Sequence, residues 1–231
     1  MQPTKRNARI AGLLYLVLIV SGILSLIYIP SQLIVWDDPT QTVKNISESK
    51  FLFQIGIICG LIMYTSFILL PLALFKLLSS VDKTHALLMV IFAVISVPIS
   101  YLNMVHHMDV LTLLEVDYYS KVFETEEFNS KIMMLLDSHS NGELVAHIFW
   151  GLWLLPFGWL VYKSGFLPKF FGIMLMLGCF GYLIDFFGYF LMEGYGKTLF
   201  ANIVGIPSAV GEIGICLWLL IVGIKTPKAI A

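Results

Sequence analysis

Six stretches of the chain run almost unbroken in apolar residues: 8–29, 51–78, 84–114, 142–162, 167–192 and 203–224. A hydrocarbon core roughly 30 Å thick is crossed by about 20 helical residues at 1.5 Å each, so every stretch predicts a transmembrane helix. The second and third exceed that minimum, which predicts tilt or protrusion into water. Pro71, Pro98, Pro156 and Pro207 fall inside these stretches and predict kinks that neighbouring helices accommodate. The first stretch follows a basic segment, as a secretory signal does. Its apolar run is longer than the roughly 7–15 residues of a signal core, and no A-x-A site follows. It reads as a retained anchor.

The polar intervals set the orientation. With the N-terminus inside, the cytoplasmic segments carry Lys5, Arg6, Arg9, Lys76, Lys83, Lys163, Lys169, Lys225 and Lys228, and the outer segments carry Lys44, Lys50, Lys121, Lys131 and Lys197. Excess Lys and Arg marks the cytoplasmic side, so both termini are expected there. Two outer loops are long. In the second, residues 115–141, Phe128, Ile132, Leu135 and Leu136 recur at helical spacing with charges opposite and Thr125 as N-cap. This predicts an extra amphipathic helix lying in the interface, either covering the outer mouth or resting there passively. The fold class expected is an all-α integral membrane protein, a six-transmembrane-helix bundle forming one domain over 1–231.

Composition agrees with that reading. Of 231 residues, 58% are hydrophobic and 13% charged, against roughly 25% charged in soluble domains, and the mean hydropathy is +0.88. A net charge of -1 gives no sign of a nucleic-acid partner. Cys59, Cys179 and Cys216 all lie in apolar stretches without C-x-x-C spacing, so free thiols are expected. No internal repeat carries matching polar signatures, and an inverted-repeat transporter is not indicated.

Against this apolar background the ionisable residues are informative. A charge at a helix centre costs roughly 2.5–3.5 kcal/mol on insertion scales, so Asp109, Glu143, Asp185, Glu212, His106, His107 and His147 are candidates for function. Counting along each helix puts all of them in the outer third, from the rim at Glu143 to about 13 Å deep at Glu212. Asn103, His106 and Asp109 follow one another at steps of three, and Glu143 and His147 form an i, i+4 pair. Asp185 and Glu212 lie on stripes of small residues that favour close helix approach. The expected site is an outward-facing polar pocket lined by Asn103, His106, His107, Asp109, Glu143, His147, Asp185 and Glu212.

Several chemistries are open to this set. Two imidazoles with carboxylates suit a divalent metal such as zinc, with His107, His147 and Asp185 as ligands and Glu212 as a ligand or base, which would make a metal-dependent intramembrane hydrolase. No H-E-x-x-H motif occurs. Chains of His, Asp and Glu also relay protons in proton-coupled transporters. A histidine from each of two spans would suit haem. The pocket would otherwise take a small-molecule or lipid ligand, and each acid singly reads as a buried group bonded to a neighbouring helix. The lipid bilayer is the partner common to every reading.

The run His147-Ile-Phe-Trp-Gly-Leu-Trp-Leu-Leu-Pro-Phe-Gly-Trp-Leu-Val-Tyr162 is distinctive, as are Ser164-Gly-Phe-Leu-Pro168 and Gly181-Tyr-Leu-Ile-Asp185. With the opening Arg9-Ile-Ala-Gly-Leu-Leu-Tyr15, they resemble a bacterial multi-pass membrane family, domain of unknown function 4386 (DUF4386). The likeness covers nearly the whole chain and implies an inner-membrane protein without an assigned activity. His147 and Asp185 fall within the resembling segments. Trp150, Trp153 and Trp159 beside them read as packing and interface anchors.

Overall fold

The backbone polar groups of a chain this apolar are satisfied within helices, and the computed structural model is all-helical, with no strand among the described residues. It describes residues 4–224, of which 117 and 120 by backbone only. Lys225 and Lys228, counted above toward the cytoplasmic side, lie outside the described residues. Six helical stretches are long and apolar enough to cross a membrane: Lys5–Leu33, Lys50–Leu78, Lys83–Glu115, Thr125–Lys163, Lys169–Leu191 and Leu199–Ile221. Each overlaps one of the six predicted spans, and the fourth begins at Thr125, well before the predicted 142.

Most of these stretches are built from several elements. The first comprises α1 (Lys5–Gly22), a π-helical segment (Ile23–Tyr28) and α2 (Ile29–Leu33). Pro30 has no N–H for the carbonyl four residues back, and the wider i→i+5 pattern precedes it, with Ile29 N–H bonding to Leu24 O. Helix α3 (Pro39–Glu48) is capped by the Asp38 carboxylate, which accepts from Gln41 N at 2.9 Å. Helix α4 (Lys50–Leu78) runs through Pro71, and α5 (Lys83–Asn103) through Pro98, without interruption. Helices α6 (Val105–Glu115) and α7 (Asp117–Val122) follow. Then come α8 (Thr125–Leu152), α9 (Leu154–Lys163) and α10 (Lys169–Leu191). After a 3-10 turn (Tyr195–Lys197), α11 (Leu199–Val204) and α12 (Ile206–Ile221) complete the chain. The breaks at Trp153 and Gly205 lie beside Pro156 and Pro207, where the missing donor releases a carbonyl one turn back.

The amphipathic segment expected in the interface differs from expectation. It begins with Thr125 as its first helical residue, where the sequence predicts an N-cap, with Glu124 O accepting from Phe128 N at 2.9 Å, and it continues as one helix through Leu152. Asn141 and Gly142, taken as a boundary, sit within that helix. The inward residues Ile132 and Leu136 are 0% and 1% exposed, so the stripe meets protein.

By its contacts the chain divides into two compact units. Among the described residues, one holds the chain from residue 4 to Val17, Ser66–Val97, and Leu144 to residue 224; the other holds Leu18–Thr65 and Pro98–Glu143. Each of the first four spans contributes to both.

In the first unit α10 packs on both α9 and α12. Gly158 and Gly172 set the closeness of the α9 contact. A Cβ built at either would come within 2.6–2.7 Å of the other's carbonyl oxygen. Backbone meets backbone there, as small residues permit in apolar surroundings. Tyr15, Phe67, Trp153 and Phe157 form an aromatic core, with Trp153 1% exposed and stacked on Phe157 at 5.2 Å. At one end Asp82 caps α5 through the backbone N–H groups of His85 and Thr84. These bonds, and the imidazole of His85 at 2.8 Å, hold its carboxyl below the ordinary range.

In the second unit polar groups tie helix to helix. Ser25 of the π segment donates to Gly56 O at 2.9 Å, and the Tyr101 hydroxyl lies 2.6 Å from Thr65 Oγ1. Asn129 donates to Thr40 Oγ1 at 3.2 Å, and Lys50 pairs with Glu115.

Candidate functional site

Asn103, His107 and Val110 turn to the interior of the second unit because they stand at i, i+4 and i+7, within about 60° of one another at 100° per residue. Asp109 departs from that face by about 100° or more and is exposed, contrary to its expected place in a pocket lining. His106 is half-buried.

The ring that meets His107 is His139. The two imidazoles lie face to face with centroids 3.6 Å apart and planes 15° from parallel. Phe53 approaches His107 at 5.1 Å. His139 stands one helical step from Leu136 and another from Glu143, on the face that carries Ile132 inward. The Asn103 side-chain amide donates to His139 O at 2.8 Å. Gly142 makes room for it, since a Cβ there would overlap the Asn103 carboxamide. One turn on, Glu143 Oε1 lies 3.6 Å from His139 Nδ1, an ion-pair distance longer than a hydrogen bond. His106 Nδ1, His139 Nε2 and Glu143 Oε1 are buried side-chain atoms with no hydrogen-bond partner. So many orphaned groups in one unit is unusual, because each costs about 1–3 kcal/mol unless bonded. A cavity of about 10 Å³, lined by Ser25, Phe53, Gly56 and His107 among others, adjoins the His107 ring. That is close to the space a single water occupies.

The first unit holds the remaining candidates in a different chemical setting. Glu212 is cradled by two phenols: Tyr15 donates to Oε2 at 2.9 Å and Tyr182 to Oε1 at 3.5 Å. The Tyr182 ring meets His147 edge-on at 5.4 Å, and Trp150 flanks the same imidazole at 5.1 Å. His147 Nδ1 is buried without a hydrogen-bond partner. Asp185, one turn from Tyr182 on α10, accepts from Tyr195 at 2.8 Å. Burial and then the Asp185 carboxylate push the Tyr195 phenol up to about 12, so it stays a donor at ordinary pH. Tyr195 is itself 4% exposed and packs against Gly188.

Glu212 is thus held mainly by Tyr15. Tyr15→Phe is expected to lower stability by about 1–3 kcal/mol, the cost of a buried acceptor losing its better donor. In a Glu212→Leu background the same change should cost well under 1 kcal/mol, read by thermal unfolding in detergent. Equal losses in both backgrounds would mean that Tyr15 contributes packing alone.

Seven of the eight predicted site residues fall into two settings, and exposed Asp109 belongs to neither. Asn103, His107 and Glu143 gather around His139, with half-buried His106 on the same helix. His147, Asp185 and Glu212 stand among Tyr15, Tyr182 and Tyr195. Among the described residues no group of three or more His, Cys, Asp or Glu is disposed to hold a metal ion. His139 and the three tyrosines are not among the predicted site residues.

The profile of the family described as a domain of unknown function (DUF4386) matches residues 10–223. A protein of Archaeoglobus fulgidus, described as an uncharacterized protein, is 29% identical over 159 residues, covering 69% of this chain and 78% of its own length. No solved structure matches. With its family profile spanning all six helical stretches, the chain belongs to the DUF4386 family.

Proposed function

We propose that this is a six-pass protein of the plasma (inner) membrane, both termini cytoplasmic, in which His107, His139 and Glu143 take up and release a proton as a small polar solute is carried. The excess of Lys and Arg in the segments assigned to the cytoplasm supports the orientation. One observation carries the functional reading: two stacked imidazoles at 3.6 Å with a carboxylate 3.6 Å from one of them.

Two positive rings at that separation repel by about 4 kcal/mol or more wherever the effective dielectric constant is 20 or below. The pair therefore holds at most one proton beyond the neutral state of both rings. When His139 holds it, Nδ1 faces Glu143 as a donor and Nε2 becomes a second donor. When the proton leaves, one ring nitrogen becomes an acceptor. A single proton rewrites the hydrogen bonding of the cluster, which is what separates two states of a coupled carrier. Ionisable groups at membrane depth are the usual components of such relays.

A pH jump across proteoliposomes on a solid-supported membrane tests this without knowledge of the solute. The wild-type protein should give a transient charge displacement. Glu143→Gln and His139→Phe should each reduce it severalfold at equal reconstitution. A displacement unchanged in the double variant would reject the reading.

A further inference from the structure

We propose that the groove between the start of α1 and the end of α4 is a binding site for one anionic phospholipid, its acyl chain between the helices and its phosphate at Lys76. The proposal rests on the chain spanning a membrane and uses none of the residues assigned to proton binding. The groove has a volume of about 320 Å³ and is lined by Asn7, Ile10, Leu14, Leu69, Leu72, Ala73 and Lys76.

Polarity is ordered along it. Asn7 lies two residues inside the start of α1, and Lys76 two residues before the end of α4. The helices run in opposite directions through the groove, so these polar groups share one level, about 3 Å inside the helix ends. Leu14 and Leu69 each stand seven residues further in, about 10 Å deeper, with Ile10, Leu72 and Ala73 between. A cationic mouth above a purely aliphatic floor complements a phosphate joined to an acyl chain. A solute phosphate would leave the floor unfilled, and a zwitterionic lipid would bring its own cationic group to a mouth that already carries basic residues.

The charges around the mouth have one sign. Lys5, Arg6 and Arg9 are exposed on α1, and no Asp or Glu occurs in 1–36 or 49–81. The first acid beyond, Asp82, is engaged by His85. Lys76 is exposed and belongs to none of the ion pairs among the described residues. Basic residues between spans at the cytoplasmic face bind anionic head groups, each contributing about 1 kcal/mol, or roughly fivefold in affinity.

Native mass spectrometry of the full chain in mild detergent, with added phosphatidylglycerol or phosphatidylcholine of identical acyl chains, reads the site directly. Wild-type protein should retain the anionic lipid preferentially. Lys76→Gln should lower phosphatidylglycerol retention about fivefold and phosphatidylcholine retention by less, which narrows the preference for the anionic lipid. Ala73→Phe, which fills the floor, should lower retention of both. Equal retention of the two lipids by the wild type, or no effect of Lys76→Gln, would overturn the proposal. So would stabilisation by sn-glycerol 3-phosphate alone, which would assign the cation to free phosphate. Lys76 is exposed, so that variant keeps the test decisive if Ala73→Phe fails to fold. The pH-jump displacement should persist in Lys76→Gln, which separates failure here from failure of the proton-binding reading.

Discussion

Gly158→Leu is expected to lower the unfolding temperature by about 6–12 °C, or to prevent isolation of folded protein, because the added side chain meets main chain that has nowhere to move. A Cβ at 158 would come within 2.6 Å of Gly172 O and 2.8 Å of Met176 N. Overpacking of cores costs about 1–3 kcal/mol where side chains can rotate away. Here backbone stands on the far side, so about 3 kcal/mol is the lower expectation, and each kcal/mol is worth about 2–4 °C in a chain of this size. Gly172→Leu should behave alike, since its Cβ would meet Gly158 O at 2.7 Å and Tyr162 N at 2.7 Å. Gly205→Ala is the contrast: no atom lies within 4 Å of the Cβ position, and its φ of -80° is open to any residue. That change should stay within about 0.5 kcal/mol. Thermal unfolding in detergent, followed by circular dichroism, ranks the three. A mild effect of Gly158→Leu would mean that α9 and α10 separate readily and that their closeness stabilises little.

The same reasoning explains what could be read from the residues and what could not. Apolar length located the six spans because burial in hydrocarbon demands it at each position separately. The fourth span was read as starting at 142, since Glu126, Glu127, Lys131 and Asp137 dilute the hydrophobicity of the preceding turns. Helical periodicity does not depend on that average. The stripe through Ile132 and Leu136 continues to His139 and Glu143, and following it would have found the partner of His107. Asp109 was misplaced by stepping in threes, which drifts about 60° per step off a face that i, i+4 and i+7 hold. Tyr15 and Tyr182 stood inside the family-like segments, but a tyrosine in an apolar run reads as aromatic packing until an acid is found at its hydroxyl. Tyr195 reaches Asp185 from a turn, for which periodicity makes no prediction.

Trp153→Ala should be the most destabilising large-to-small change in the first unit, at about 3–5 kcal/mol. The indole is 1% exposed, stacks on Phe157 with planes 13° apart, and meets Phe67 edge-on at 5.1 Å. Tyr15 touches the same pair, at 6.1 Å from Trp153 and 6.3 Å from Phe157. Removing the indole therefore opens a cavity and frees the ring that presents its hydroxyl to Glu212. Two consequences separate this role from generic packing. Trp153→Phe keeps a ring against Phe157 and should recover about half the loss. Tyr15→Phe, costly in the native background, should cost little more once Trp153 is alanine, because a loosened phenol no longer holds the carboxyl. Trp159, 36% exposed with Lys163 above its ring at 4.9 Å, is the control: its replacement by alanine should cost about 1 kcal/mol. Denaturant unfolding of the single and double variants measures the coupling. Additive losses at Trp153 and Tyr15 would show that the aromatic core and the Glu212 cradle are energetically independent.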